Sequence, residues 1–286
     1  MAPDHLVPGV LWRRDPVDAP IPLVVDSPHN GTHWPDDFEH IVTEADLMTS
    51  VDAYVDELFG HTPEVGGTLI AALFPRAYID PNRAEDDLDL ALIDGDWPHP
   101  VNPGEKTEWG MGVVRRYILK GRPLYDRKLS PAEVLHRLET YHRPYHAAVS
   151  AALDAAHARF GHAFHINAHS MKPVGNAMNA DHGQARPDMV LSDREGETCD
   201  PDFIHTAAAL LRNKGYTVAI NHPYKGAELV ARHSDPVAGR HSLQIELNRG
   251  LYLDAETFER APGFAALKRD LDGFIGDVAG FVRSCL

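Results

Sequence analysis

The chain has 286 residues, and its 27 Lys and Arg against 42 Asp and Glu give a formal net charge of −15. That balance repels phosphate backbones and anionic lipid, which argues against nucleic acid and membrane surfaces as partners. Two cysteines, Cys199 and Cys285, exclude a disulfide framework and make a reducing compartment, the cytoplasm, the expectation.

The length suits one domain, expected over residues 1–286. The opening MAPDHLVPGVLWRRDP lacks the apolar core of a signal peptide. The longest apolar run, Gly66 to Pro75, falls short of the ~18 residues that a membrane span needs.

Pro22 to Asp26 reads as a buried strand, followed by the turn formers Ser27-Pro28-His29-Asn30-Gly31-Thr32. Thr43 to Phe59 reads as one helix capped by Thr43, because Leu47, Val51, Val55 and Leu58 recur at helical steps. Thr68 to Phe74 and Ala77 to Ile79 are apolar enough to be strands. Asn82 to Gly112 is acidic, rich in Pro and Gly, and without period, so it reads as a long irregular insertion.

Ser130-Pro131-Ala132-Glu133 carries a capping box that opens a helix to Phe160, stopped by Gly161 and interrupted at Pro144. Beyond it, Ala163 to Ala168, Asp188 to Ser192, Thr217 to Asn221 and Ser242 to Leu247 read as strands. Asp202 to Lys214 and Phe264 to Arg283 read as helices. Strands alternating with helices predict an α/β fold, a mostly parallel sheet with helices on both faces.

His29 and His169 each follow a strand, where α/β folds place ligands. Two such imidazoles converge if their strands are neighbours. Zinc takes imidazole and carboxylate ligands and, in catalytic sites, keeps one position open. Asp52 and Asp56, four apart on one helix face, are both candidates for the carboxylate. In Leu243-Gln244-Ile245-Glu246-Leu247 the alternation puts Gln244 and Glu246 on one face. Glu246 therefore points to solvent from an edge strand or serves a polar site, where it suits a general base.

Asn82-Arg83 offers a guanidinium for a substrate carboxylate. Arg115, Arg116 and Tyr117 form a second cluster, and Lys225, Arg232, Arg240 and Arg249 gather around Glu246 in an otherwise acidic chain. Such local basicity suits a small anionic substrate. The helix histidines His136, His142, His146 and His157 read as mostly solvated, with a reach into a site from the kink as the alternative for His146 after Tyr141, Pro144 and Tyr145, and His165 reads as core or near-site packing. HExxH, CxxC, GxSxG, a Walker loop and a strand-borne GxGxxG are all absent from the sequence.

The blocks Ser27-Pro28-His29-Asn30-Gly31-Thr32, Ile79-Asp80-Pro81-Asn82-Arg83, His169-Ser170-Met171 and Leu243-Gln244-Ile245-Glu246 resemble, in order, those of the N-formylglutamate amidohydrolase family. The resemblance implies a phosphorylase/hydrolase-like three-layer fold, related to zinc carboxypeptidases. It implies one zinc ion on His29, Asp52 (favoured over Asp56) and His169, with Glu246 as base. Asn82 and Arg83 would bind substrate, joined by Arg115, Lys225 or Arg232.

The implied activity is hydrolysis of an N-acyl amino acid, N-formyl-L-glutamate to formate and L-glutamate, within histidine degradation. A carboxypeptidase or another N-acyl amino-acid deacylase with the same centre is the alternative enzyme. A metal-binding protein without turnover is the alternative of another class. Monomer and homo-oligomer stay open. The chain departs from the family's best-known branch at Asn221-His222-Pro223-Tyr224-Lys225-Gly226, where that branch carries a Gly-Arg-Phe-Lys-Gly-Gly-like stretch.

Overall fold

The computed structural model describes residues 2–286. Its strands are β1 (His5–Val7), β2 (Leu11–Arg14), β3 (Leu23–Ser27), β4 (Thr68–Ala72), β5 (Tyr117–Leu119), β6 (Arg122–Pro123), β7 (Ala163–Met171), β8 (Met189–Ser192), β9 (Val218–Ile220) and β10 (Arg240–Asn248). Its helices are α1 (Glu44–Met48), α2 (Val55–Leu58), α3 (Glu105–Glu108), α4 (Pro131–Arg137), α5 (Arg143–Phe160), α6 (Pro201–Asn213), α7 (Glu228–Arg232) and α8 (Phe264–Ser284).

Eight strands form one sheet in the order β1-β2-β4-β3-β7-β10-β8-β9, and β5 with β6 makes a separate ribbon. The central strands β4, β3, β7 and β10 run parallel, as do β8 and β9. The β1–β2, β2–β4 and β10–β8 pairs are antiparallel, so the sheet is mixed. β3, β4, β7 and β8 are buried along their whole length. That is why they read as apolar runs without a solvent face.

Alternation sends neighbouring residues to opposite sides of the sheet. Leu23, Val25, Ile166, Leu243 and Ile245 join one apolar cluster with Phe203 and Leu211 of α6 and Leu271 and Phe274 of α8. Val24, Ile70 and Ala72 join another with Val134 of α4 and Tyr145 and Val149 of α5. On this second side the middle strands turn polar: Asp26, His165, Asn167, His169, Ser242, Gln244 and Glu246 are all buried. The Tyr145 hydroxyl of α5 donates to Asp26 Oδ2 at 2.7 Å, which ties that stripe to the helix above it.

Both expected caps form. Thr43 and Asp46 make a reciprocal box at α1, and Ser130 and Glu133 make one at α4. The long helix passes through a π-helical stretch, Leu138–His142, before α5. Pro144 lies at the start of α5, where its missing N–H is absorbed by the widened turn. Gly161 ends α5 with φ 75°.

The helix expected over Thr43–Phe59 is broken, because residues 49–54 are not helical. The Asp52 N–H donates to His29 O at 2.9 Å instead of continuing the helix, and Tyr54 has φ 62°, which no α-helix accommodates. Ala77 and Tyr78 lie in a turn and Ile79 just after it, so this stretch is not a strand. The β1–β2 hairpin was not expected; β1 is exposed and its apolar residues show no alternation against a core.

Candidate metal centre and basic cavity

His29 sits in the turn after β3. Gly31 fixes where that turn crosses the end of β4, since a Cβ there would lie 2.3–2.4 Å from the Leu73 and Phe74 backbone. His169 lies on β7, whose register pairs Asp26 with Asn167. Parallel neighbouring strands thus deliver both imidazoles to one place, with ring centroids 4.6 Å apart. Asp52 arrives from the break between α1 and α2, anchored through its own N–H to His29.

One ligand atom from each of His29, Asp52 and His169 lies within 4.8 Å of the others, and all three residues are buried. Asp52 Oδ2 is 3.1 Å from His169 Nδ1 and 3.5 Å from His29 Nδ1. His29 Nδ1 is buried without a hydrogen-bond partner. The far nitrogens are occupied: His29 Nε2 is 2.7 Å from Asp80 Oδ1, and His169 Nε2 is 2.7 Å from Asn167 Oδ1.

The Asp80 carboxylate on His29 Nε2 fixes the tautomer that leaves His29 Nδ1 as an acceptor, as metal-binding histidines require. Asp52 Oδ1 takes Arg249 Nη2 at 2.7 Å, leaving Oδ2 for the same point. Two imidazoles and a carboxylate with one orphaned nitrogen fit a divalent ion of zinc's preferences. Burial pushes the Asp52 carboxyl up, but His169, His29 and Arg249 outweigh it and hold it well below the usual carboxylate value. Asp56 lies in α2, and burial raises its pKa; it is not a member of the group.

Asp80 is the principal residue that sequence reasoning missed. It is fully buried and accepts from His29 Nε2, from Asn82 N at 3.0 Å, and from Arg76 Nε and Nη2 at 3.0 and 2.6 Å. Burial raises its pKa, but Arg76, His29 and Arg83 drive it well below the carboxylate range. An acid closing the apolar run Ala77-Tyr78-Ile79 was the available signal. Asn167, its counterpart behind His169, was legible only through strand parity.

Glu246 pairs in register with His169 across β10 and β7, on the same polar face. β10 is interior, so the solvent-edge alternative for Glu246 does not apply. The residue is 8% exposed, and Gln244 Nε2 donates to its Oε1 at 3.1 Å. Burial raises its pKa to about 7; Asp52 adds to the rise, and His169, Arg76 and Arg249 oppose it.

The Asp80–Arg83 segment is clamped from α5 and the stretch before it. His146 Nε2 donates to Pro81 O and His142 Nε2 to Arg83 O, both at 2.8 Å. Neither histidine is solvated, contrary to the reading of that helix face: both are buried. Burial, His142, His233 and Arg232 push the His146 pKa down to about 2, keeping it a neutral donor. The clamp sets Asn82 Nδ2 3.1 Å from His169 Nε2, while Leu229 N donates to Asn82 Oδ1 at 2.9 Å.

A cavity of about 140 Å³ adjoins these residues. Arg76, Arg83, Lys106, Arg115, Lys172, Arg186 and Arg249 line it, with Tyr224, Met111, Ile118 and Met178 and without any Asp or Glu. In a chain of net charge −15 that is a concentrated positive lining. Arg83 and Arg115 are the expected cations that reach it. Lys225 and Arg232 do not line it: Lys225 pairs with Glu195 at 2.9 Å on the surface, and Arg232 lies 3.8 and 4.0 Å from Glu228 and Glu85. Of the cations gathered in sequence around Glu246, Arg249 alone lines the cavity.

Fold and site together define an α/β protein with a buried two-histidine, one-carboxylate group, a buried glutamate beside it and a cationic cavity. A family model described as N-formylglutamate amidohydrolase matches residues 21–253. The chain belongs to that family, whose members are hydrolases acting on an amide bond. A solved N-formylglutamate amidohydrolase from Ralstonia eutropha JMP134 is 44% identical, with TM-score 0.92, covering 97% of this chain and 100% of that one. Curated N-formylglutamate deformylases resemble it more distantly. That of Pseudomonas putida is 27% identical over 82% of both chains. That of Pseudomonas aeruginosa is 28% identical over 85% of this chain and 84% of its own. Among the described residues, no helix is long and apolar enough to cross a membrane.

Proposed function

We propose that the chain is a single amidohydrolase domain that hydrolyses N-formyl-L-glutamate to formate and L-glutamate, with one zinc ion held by His29, Asp52 and His169. The observation that carries this reading is the cavity: seven cationic side chains and no acidic one, next to a metal-type group and a buried glutamate. Such a lining fits a small molecule with more than one carboxylate. We assign the fold to the phosphorylase/hydrolase-like three-layer type of zinc carboxypeptidases, which the apolar clusters on opposite sides of the sheet support. Free Cys199 and Cys285 suit a cytoplasmic enzyme.

Zinc held by His29, Asp52 and His169 would supply Lewis acidity at this site, lowering the pKa of water from 15.7 toward ~7 and polarising the scissile carbonyl. The chain's own residues do the rest. Arg83 and Arg115 bind substrate carboxylate, and Asn82, oriented by Leu229 N and the Asp80 carboxylate, stands with its Nδ2 against His169 Nε2. Glu246 takes a proton as the water oxygen attacks the formyl carbon, and delivers it to the glutamate nitrogen as the C–N bond breaks. A base with a pKa near 7 is matched to that exchange at neutral pH.

The test is Glu246→Gln with metal analysis and an N-formyl-L-glutamate assay. General acid–base loss of ~10²–10⁴-fold in kcat is expected with zinc still bound. Chelation should abolish wild-type turnover and zinc restore it. Full activity after complete metal removal refutes the metal assignment. Cleavage of dipeptides with N-formyl-L-glutamate untouched refutes the substrate.

A further inference from the structure

Most cations of the cavity are already engaged. Arg76 is bound by Asp80, and Arg249 by Asp52. Arg186 is gripped by Asp181 through hydrogen bonds of 2.6 and 2.8 Å. Arg83 donates to Met111 O and Asn82 O at 3.1 and 2.7 Å. Lys106 Nζ lies 4.6 Å from the Trp109 ring centroid.

Two cations stand apart. Among the described residues Lys172 makes no side-chain hydrogen bond, ion pair or ring contact, and its charged neighbours are Arg249, Arg115 and Arg186, all of its own sign. Arg115 is 6% exposed, and its Nε has no hydrogen-bond partner. Its carboxylate, Asp80 Oδ2, is 3.6 Å from Nη2 and already held by Arg76.

A half-buried ammonium with neighbours of its own sign alone, beside a buried guanidinium that shares its one carboxylate with Arg76, is costly, and a bound anion removes the cost. The strain registers in both groups. Burial, then Arg249, Arg115 and Arg186, pull the Lys172 ammonium down to about 8. Burial and Arg76, with Arg83, pull Arg115 down to about 9. Lys172 also follows His169 by three residues. That is ~10 Å along an extended chain, a separation that an N-acylated five-carbon diacid and a lysine side chain together bridge.

We propose that Lys172, beside Arg115, holds the second carboxylate of a dicarboxylate substrate and sets the preference for dianions over monoanions. This assignment rests on reading the cavity as the substrate site of the proposed hydrolase.

Isothermal titration of the full chain with glutarate and with butyrate tests it without requiring turnover. Lys172→Met should weaken glutarate binding about tenfold and butyrate binding by less than about threefold, the loss of one charge-assisted contact. Lys172→Arg should recover most of the glutarate affinity, and unchanged thermal unfolding certifies the fold. Equal losses for both acids, unaltered glutarate affinity, or a wild type that binds no glutarate overturns the assignment. The N-formyl-L-glutamate assay separates the two readings. A wild type that ignores this substrate yet binds glutarate through Lys172 keeps the subsite and loses the proposed reaction. Turnover with an unchanged KM in Lys172→Met keeps the reaction and loses the subsite.

Discussion

Asp80 touches no substrate in the proposed reaction, yet the candidate metal centre hangs on it. Its Oδ1 fixes His29 Nε2 at 2.7 Å, and its Oδ2 holds Arg76 at 2.6 Å. Asp80→Asn keeps the shape and removes the charge. The imidazole loses the anion that fixes its orientation and tautomer, and Arg76 loses its counter-ion. Weakening such an outer contact typically costs 10–100-fold in metal affinity, or about 1.4–2.7 kcal/mol.

Zinc titration against a competing chelator at neutral pH should show that rise in Kd, with thermal unfolding of the zinc-free variant reporting the fold. Asn167→Ala removes the equivalent support behind His169 without a change of charge and should shift the Kd in the same direction. The depressed Asp80 pKa gives a further signature. A carboxyl held below its unfolded value of 3.8 stabilises the fold above that pH and ceases to as pH falls through its folded pKa. The gap in stability between wild type and Asp80→Asn should therefore be full at neutral pH and close in strong acid. Zinc affinity unchanged within about threefold in both variants would refute the reading of these residues as supports of the two ligands.

Gly31→Ala places a Cβ 2.3–2.4 Å from the Leu73 and Phe74 backbone, so the turn carrying His29 must move. A loss of ~1–3 kcal/mol in unfolding free energy, with weaker zinc binding, is expected by denaturant titration and chelator competition. Glu246 gives the opposite pH signature to Asp80. Its folded pKa, about 7, lies above the usual 4.5, so the stability linked to it is full below 4.5 and declines as pH rises to 7. Metal-free Glu246→Gln should thus unfold at higher temperature than wild type above pH 7 and equally near pH 4.5. In the wild type, kcat/KM should rise with pH as Glu246 ionises; a rate independent of pH through this range would remove it as the base.

Local chemistry was readable where the chain determines it locally. Thr43 and Ser130 cap their helices, Gly161 ends one, and the alternation in Leu243 to Leu247 assigned Glu246 a face before any neighbour was known. The break that frees Asp52 was not readable. Val51, Val55 and Leu58 are buried either way, so the helical spacing survives while the helix does not. What interrupts it is a hydrogen bond to His29 O, from a residue more than twenty positions away.

The same reason hid Asp80, Asn167 and Lys172. His29 reaches Asp80 from the turn after β3, Asp26 meets Asn167 across β3 and β7, and the charged neighbours of Lys172 come from distant segments, so these contacts exist only once the chain is folded. His142 and His146 looked like a wet helix face because their acceptors, the carbonyls of Arg83 and Pro81, belong to an irregular segment without period. The residue types of the His29, Asp52 and His169 group were therefore legible, whereas the groups that orient them were not. It follows that a substitution at Lys172, which lies outside the blocks that carry the family resemblance, probes the folded architecture independently of them.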